Sequence, residues 1–177
     1  AVLSQMGYKV MQIGCDPKSD STSLLLNGKE CPTVLDILRD DPESLTLQKV
    51  IHEGYGGVLC VEAGGPTPGI GCAGRGITTA FEKLEELQAF DKYKPDMVIY
   101  DVLGDVVCGG FAMPLRGNYA DYVYIVTSGE KMSLFAASNI AIALDNFKMR
   151  NYAKLGGVIL NRRDVKNELK SVEELAA

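Results

Sequence analysis

The chain has 177 residues, 46% of them hydrophobic and 23% charged, with a net charge of −5 and no low-complexity tract. That length holds one α/β domain and is short for two, and the acidic balance argues against nucleic acid, which needs clustered Lys and Arg. No apolar run approaches the ~20 residues of a membrane span, and the start has no charged-then-apolar leader, so the composition predicts a cytoplasmic protein with neither a nucleic-acid nor a membrane partner.

In chain order, "AVLSQMGYK" reads as the last turns of a helix with Gly7 as its C-cap, then a short apolar strand from Val10 to Gly14 runs into "GCDPKSDST". "TVLDILRDD" is helical between Pro32 and Pro42, and Leu45 to His52 forms a further short helix or strand. A strand over Val58 to Glu62 leads into "GGPTPGIGCAGRG", thirteen residues with six glycines, one cysteine and one arginine. From Gly76 to Phe90, Ile77, Ala80, Phe81, Leu84 and Leu87 recur at helical spacing. "PDMVIYDVLGD" and "YADYVYIVTSGE" have the continuous apolar character of strands buried on both faces. "MSLFAASNIAIALDNF" is an amphipathic helix, "KLGGVILNRRD" a last strand and "VKNELKSVEELAA" helical. Strands alternating with helices predict right-handed βαβ units and a mostly parallel sheet flanked by helices. Ligands of such sheets sit at the carboxyl ends of the strands, where "CDPKSD", "AGGPTPG", "DVLGD", "TSGE" and "NRRD" all fall, so five loops are expected at one edge.

Three of those loops carry chemistry. A strand ending in Asp101, with Gly104 three residues on, matches the arrangement in which a carboxylate stands near Mg²⁺ and a glycine amide approaches a terminal phosphate. The plain alternative is a solvated strand-end Asp. In "GCDPKSDST", Lys18 can meet phosphate oxygens and Asp20 can hold metal-bound water, or the loop is an ordinary one with Asp20 or Ser21 as a helix cap. The phosphate loop GxxxxGK[ST] does not occur, because the only Gly-Lys pair is followed by Glu30. The expectation is that it lies upstream of Ala1 and that the chain is a piece of a longer one.

The five cysteines contain no CxxC pair, which suits a reducing compartment rather than a disulfide framework. Cys72 sits where the glycine loop meets a helix, and Cys108 follows Gly104 by four residues and precedes Gly109-Gly110. Glycine-flanked thiolates with free amides suit a cuboidal iron–sulfur cluster, which takes four thiolates. Two identical chains about a two-fold axis supply four. The alternative is two small buried residues. Cys60 reads as core, Cys15 and Cys31 as packed, and the lone His52 as structural.

"GCDPKSDST", "GGPTPGIGCAGRG" and "DVLGDVVCGGFAMPLR" resemble the nitrogenase iron protein family over nearly the whole chain. The resemblance implies a P-loop NTPase-like α/β fold and a homodimer holding one [4Fe-4S] cluster between subunits and MgATP in each. It implies that single electrons pass from ferredoxin or flavodoxin to the nitrogenase catalytic component, a MoFe-type protein. It makes Cys72 and Cys108 the cluster ligands, Asp101 the strand-end carboxylate and Asp20 the residue near Mg²⁺. Asp16 and Asp105 become the carboxylates that activate water, Lys18 a phosphate contact across the dimer and Asn161 the adenine contact. Arg75 becomes the exposed arginine that docks on the partner and is ADP-ribosylated in some members. The electron-donor subunit of tetrapyrrole reductases is the near alternative. A non-redox ATP-switched positioning ATPase is the remote one, since it needs neither Cys72 nor Cys108.

Overall fold

In a computed structural model, residues 1–65, 73–104, 112–115, 119–147 and 152–176 are described. They fall into two compact units, the first holding residues 1–65, 73–103, 112 and 113, the second holding residue 104 and the described residues from 114 onward.

In the first unit a short helix α1 (Val2–Gln5) ends at Met6, and Gly7 takes a left-handed φ of 94° before strand β1 (Val10–Gly14). β1 is the centre of a four-stranded sheet. It pairs in parallel with β3 (Leu59–Glu62) on one side and β4 (Met97–Asp101) on the other, while β2 (His52–Glu53) runs antiparallel on the far edge of β3. The backbone carbonyl of Lys9 accepts from the Asp96 and Met97 amides, which fixes the register of β4 at its first residue. Helix α2 (Val34–Asp40) is capped by Thr33, whose hydroxyl accepts from the Asp36 amide at 3.0 Å, and it stops before Pro42. A single helical turn, α3 (Leu47–Val50), precedes β2.

Helix α4 (Ala73–Glu86) lays Ile77, Ala80, Phe81 and Leu84 into the core, with Phe81 stacked on Tyr100 of β4 at 5.2 Å. The single helix expected to reach Phe90 is broken. Gln88 adopts a left-handed conformation (φ 59°), and a new helix, α5 (Ala89–Tyr93), starts beyond it with Ala89 fully buried. Turning the chain there keeps Ala89 inside, where a continued helix would carry it around the axis.

The second unit pairs β5 (Tyr122–Thr127) with β6 (Lys154–Leu160) in parallel, with α6 (Lys131–Phe147) between them in sequence and α7 (Glu168–Ala176) after them. Neither β4 nor β5 is buried on both faces, contrary to the reading of their apolar runs. Met97 and Ile99 of β4 are 40% and 37% exposed, and Tyr122, Tyr124 and Val126 of β5 are exposed too. Each strand has one covered face, β4 through Phe81 and β5 through α6, so each shows the alternation of a half-covered strand. Among the described residues no helix is long and apolar enough to cross a membrane.

Candidate functional site

Because β1, β3 and β4 run parallel, their carboxyl ends share one edge, and the loop Cys15–Asp20 opens from it. The Cys15 amide donates to the Asp101 carbonyl at 2.9 Å, tying the start of this loop to the end of β4. Asp16 then folds the loop on itself. Its Oδ1 accepts from the Lys18 amide at 2.8 Å and its carbonyl accepts from the Ser19 amide at 3.0 Å, with Ser19 left-handed at φ 54°. Lys18 and Asp20 are left exposed on this turn.

Asp101 does not stand alone at the strand end. Ser21 Oγ donates to its Oδ2 at 2.6 Å, and Gln12 Nε2 from β1 donates to both the Ser21 hydroxyl and carbonyl oxygens at 2.9 and 3.0 Å. The chain Gln12–Ser21–Asp101 ties an exposed carboxylate at the end of β4 to the loop after β1, on which Asp20 and Lys18 are also exposed. A carboxylate held by a hydroxyl partner, with an exposed lysine and aspartate on the adjoining loop, is hard oxygen chemistry of the kind that suits Mg²⁺ and phosphate.

Behind this edge lies a carboxylate that sequence reading passed over. Glu62, at the end of β3, is 0% exposed, and its Oε1 accepts from both the amide and the hydroxyl of Thr22 at 2.7 Å. Its Oε2 is buried with no hydrogen-bond partner among the described residues. Burial pushes the Glu62 carboxyl above the ordinary range, while the Thr22 hydrogen bonds pull it back. A Cβ on Gly14 would overlap Oε2, so glycine at that position is what admits the carboxylate. One signal was available: a lone acid closing the buried run "VLCVEAGG". Just beyond, Gly65 lies so close to Pro17 that a Cβ there would overlap the proline ring. The loop leaving β3 therefore rests directly on the loop leaving β1.

Burial raises the thiols of Cys15 and Cys31 to about 12 and that of Cys60 to about 11, as expected of packed cysteines rather than thiolate ligands. His52 Nε2 lies 3.1 Å from the Lys49 carbonyl, a local structural contact. Arg75 is exposed on α4, and Asn161, exposed, follows β6 in the second unit. A Cβ on Gly104 would meet no described atom within 4 Å. Cys72, Asp105 and Cys108 lie outside the described residues, and among the described ones no group of three or more His, Cys, Asp or Glu could hold a metal.

The solved structures similar to this chain include a ParA family ATPase from Chlorobium tepidum TLS (TM-score 0.66, 18% identity, 98% of this chain and 69% of that one). Another is the MinD cell division protein of Aquifex aeolicus (TM-score 0.59, 19% identity, 98% and 66%). At such identities they show the fold, a P-loop NTPase-like α/β architecture with a mostly parallel sheet flanked by helices. In sequence the chain is 56% identical over 180 residues to the nitrogenase iron protein of Methanospirillum hungatei JF-1, covering all of this chain and 63% of that protein. The model of the "4Fe-4S iron sulfur cluster binding proteins, NifH/frxC family" matches residues 1–177, and the chain belongs to that family.

Proposed function

We propose that this chain is the nucleotide- and cluster-binding part of an ATP-dependent electron donor that passes single electrons to a nitrogenase catalytic component. The observation that carries the nucleotide half is the Gln12–Ser21–Asp101 chain, which ties the carboxylate at the end of β4 to the loop that exposes Lys18 and Asp20. Asp101 and Asp20 would hold Mg²⁺ and its water. Lys18, at the tip of the turn made by Asp16, would meet phosphate oxygens, from the partner copy's side in a homodimer. Asp16 and Asp105 would orient the attacking water, and Asn161 would contact the base.

Cys72 and Cys108 of two copies would hold one [4Fe-4S] cluster, which supplies one-electron redox chemistry when bound. The chain's own contribution is linkage. Gly104, Asp105 and Cys108 span four peptide bonds, so a phosphate that attracts the Gly104 amide draws the segment carrying Cys108 with it. Arg75 would dock on the partner protein, a role its exposure on α4 supports. Ferredoxin or flavodoxin would reduce this cytoplasmic dimer.

The test is anaerobic purification of the full reading frame containing this segment, with iron counted per dimer and an EPR spectrum taken after reduction. About four iron atoms per dimer are expected, with loss of most of them in Cys72→Ser or Cys108→Ser. A full iron complement in either variant would end the reading. Electron transfer to a nitrogenase catalytic component, and not to a tetrapyrrole-reducing one, separates the two closest assignments; the 56% identity to a nitrogenase iron protein favours the first.

A further inference from the structure

In the second unit the loop after β6 folds around one carboxylate. Glu168, the first residue of α7, is 3% exposed. Its Oε1 accepts from Arg162 Nε at 2.9 Å, and its Oε2 accepts from the backbone amides of Arg163 at 2.9 Å and Val165 at 3.3 Å. The Arg162 bond, followed by the Arg163 amide, holds the Glu168 carboxyl below the ordinary range. Between these donors and the carboxylate, Asp164 and Asn167 both sit in the left-handed region at φ 57° and 61°, which their short polar side chains tolerate and which turns the loop back onto Glu168.

The same residue sets the loop after β5. Gly129 approaches Glu168 so closely that a Cβ there would overlap Glu168 Cβ and Cα. The Asn161 amide, one residue past β6, donates to the Thr127 carbonyl at 2.7 Å. The ends of β5 and β6, the ligand edge of a parallel pair, are thus fastened to each other and to one buried carboxylate.

We propose that Glu168 is a positioning residue for purine-base recognition, holding the 161–167 loop so that the Asn161 carboxamide meets the base of the bound nucleotide. A carboxamide offers a donor and an acceptor side by side, the pattern complementary to adenine's amino group and adjacent ring nitrogen. It discriminates between bases only if its backbone is held still. Three donors on a desolvated carboxylate supply that rigidity. The proposal rests on the reading of Asn161 as the base contact.

The experiment compares MgATP, MgITP and inorganic tripolyphosphate binding by equilibrium dialysis in the full-length dimer. Amide exchange over residues 161–167 is measured alongside. Inosine lacks the amino donor and tripolyphosphate lacks the base. We expect the unaltered protein to favour ATP over ITP, N161A to abolish that preference, and E168Q to reduce it by about tenfold. E168Q should also speed exchange at Arg163 and Val165 and leave tripolyphosphate binding unchanged. R162A removes one donor whose side chain is 75% exposed, so it should fold and shift the preference the same way by less. It decides the matter if E168Q does not fold. Loss of preference in N161A with full preference in E168Q or R162A overturns the role of Glu168, as does an equal loss of tripolyphosphate binding. Unchanged preference in N161A instead removes the base reading of Asn161, and this proposal with it.

Discussion

Glu62 has its two oxygens in different circumstances: one saturated by Thr22, the other buried without a donor among the described residues. Its folded-state pKa lies above the roughly 4.5 of an unfolded chain, so the folded protein binds the proton more tightly. Stability therefore declines as pH rises from about that value through the folded pKa. In the full-length protein, E62Q removes this titration, and urea midpoints followed from acid to neutral pH should fall less steeply than in the unaltered protein; parallel curves would contradict the assignment. At the other carboxylate, D101N leaves Ser21 a hydrogen-bond partner but removes the charge. We expect Mg²⁺-dependent nucleotide affinity to drop by tenfold or more, with little change in metal-free binding. Equal losses with and without Mg²⁺ would count against Asp101 as the metal-side residue.

At the scale of elements, α2 depends on its first residue. Thr33 caps the helix through the Asp36 amide and also packs against Gly64. T33A should cost about 1 kcal/mol in urea unfolding of the full-length protein; an unchanged midpoint would mean the cap is replaced by water. Phe81 ties α4 to β4 by stacking on Tyr100. As a fully buried aromatic its truncation, F81A, should cost about 3–5 kcal/mol, measured by the same unfolding experiment. The elements most readable in sequence were those with a strong local signal. β1 spans Val10–Gly14 as its apolar run predicted, and α2 lies between the two prolines, Pro32 and Pro42, that were expected to bound it. The α4–α5 break was not readable, since nothing in "LEELQAF" marks Gln88 for a left-handed conformation. Burial of Ala89, a tertiary demand, imposes it.

For the molecule as a whole, the 177 residues contain no GxxxxGK[ST] loop to cradle a triphosphate. The segment alone is expected to show no Mg²⁺-dependent phosphate release above background in an ATPase assay, whereas the full reading frame should show it; activity from the segment would mean that its own loops suffice. What the sequence determined by itself was whatever depends on residue type and short spacing. Alternating strands and helices, the glycine-flanked cysteines, the strand-end Asp101 and the family resemblance all lie within stretches of a few residues, where periodicity and backbone permissiveness act locally. The tertiary structure alone decided which distant groups share a carboxylate. Ser21 meets Asp101 across 80 positions and Thr22 meets Glu62 across 40. Strands far apart in the chain become neighbours only through sheet pairing, and no local pattern records that register. The covered and bare faces of β4 and β5 follow from the same cause, because an apolar run states how much surface can be buried and the packing of helices decides which side is.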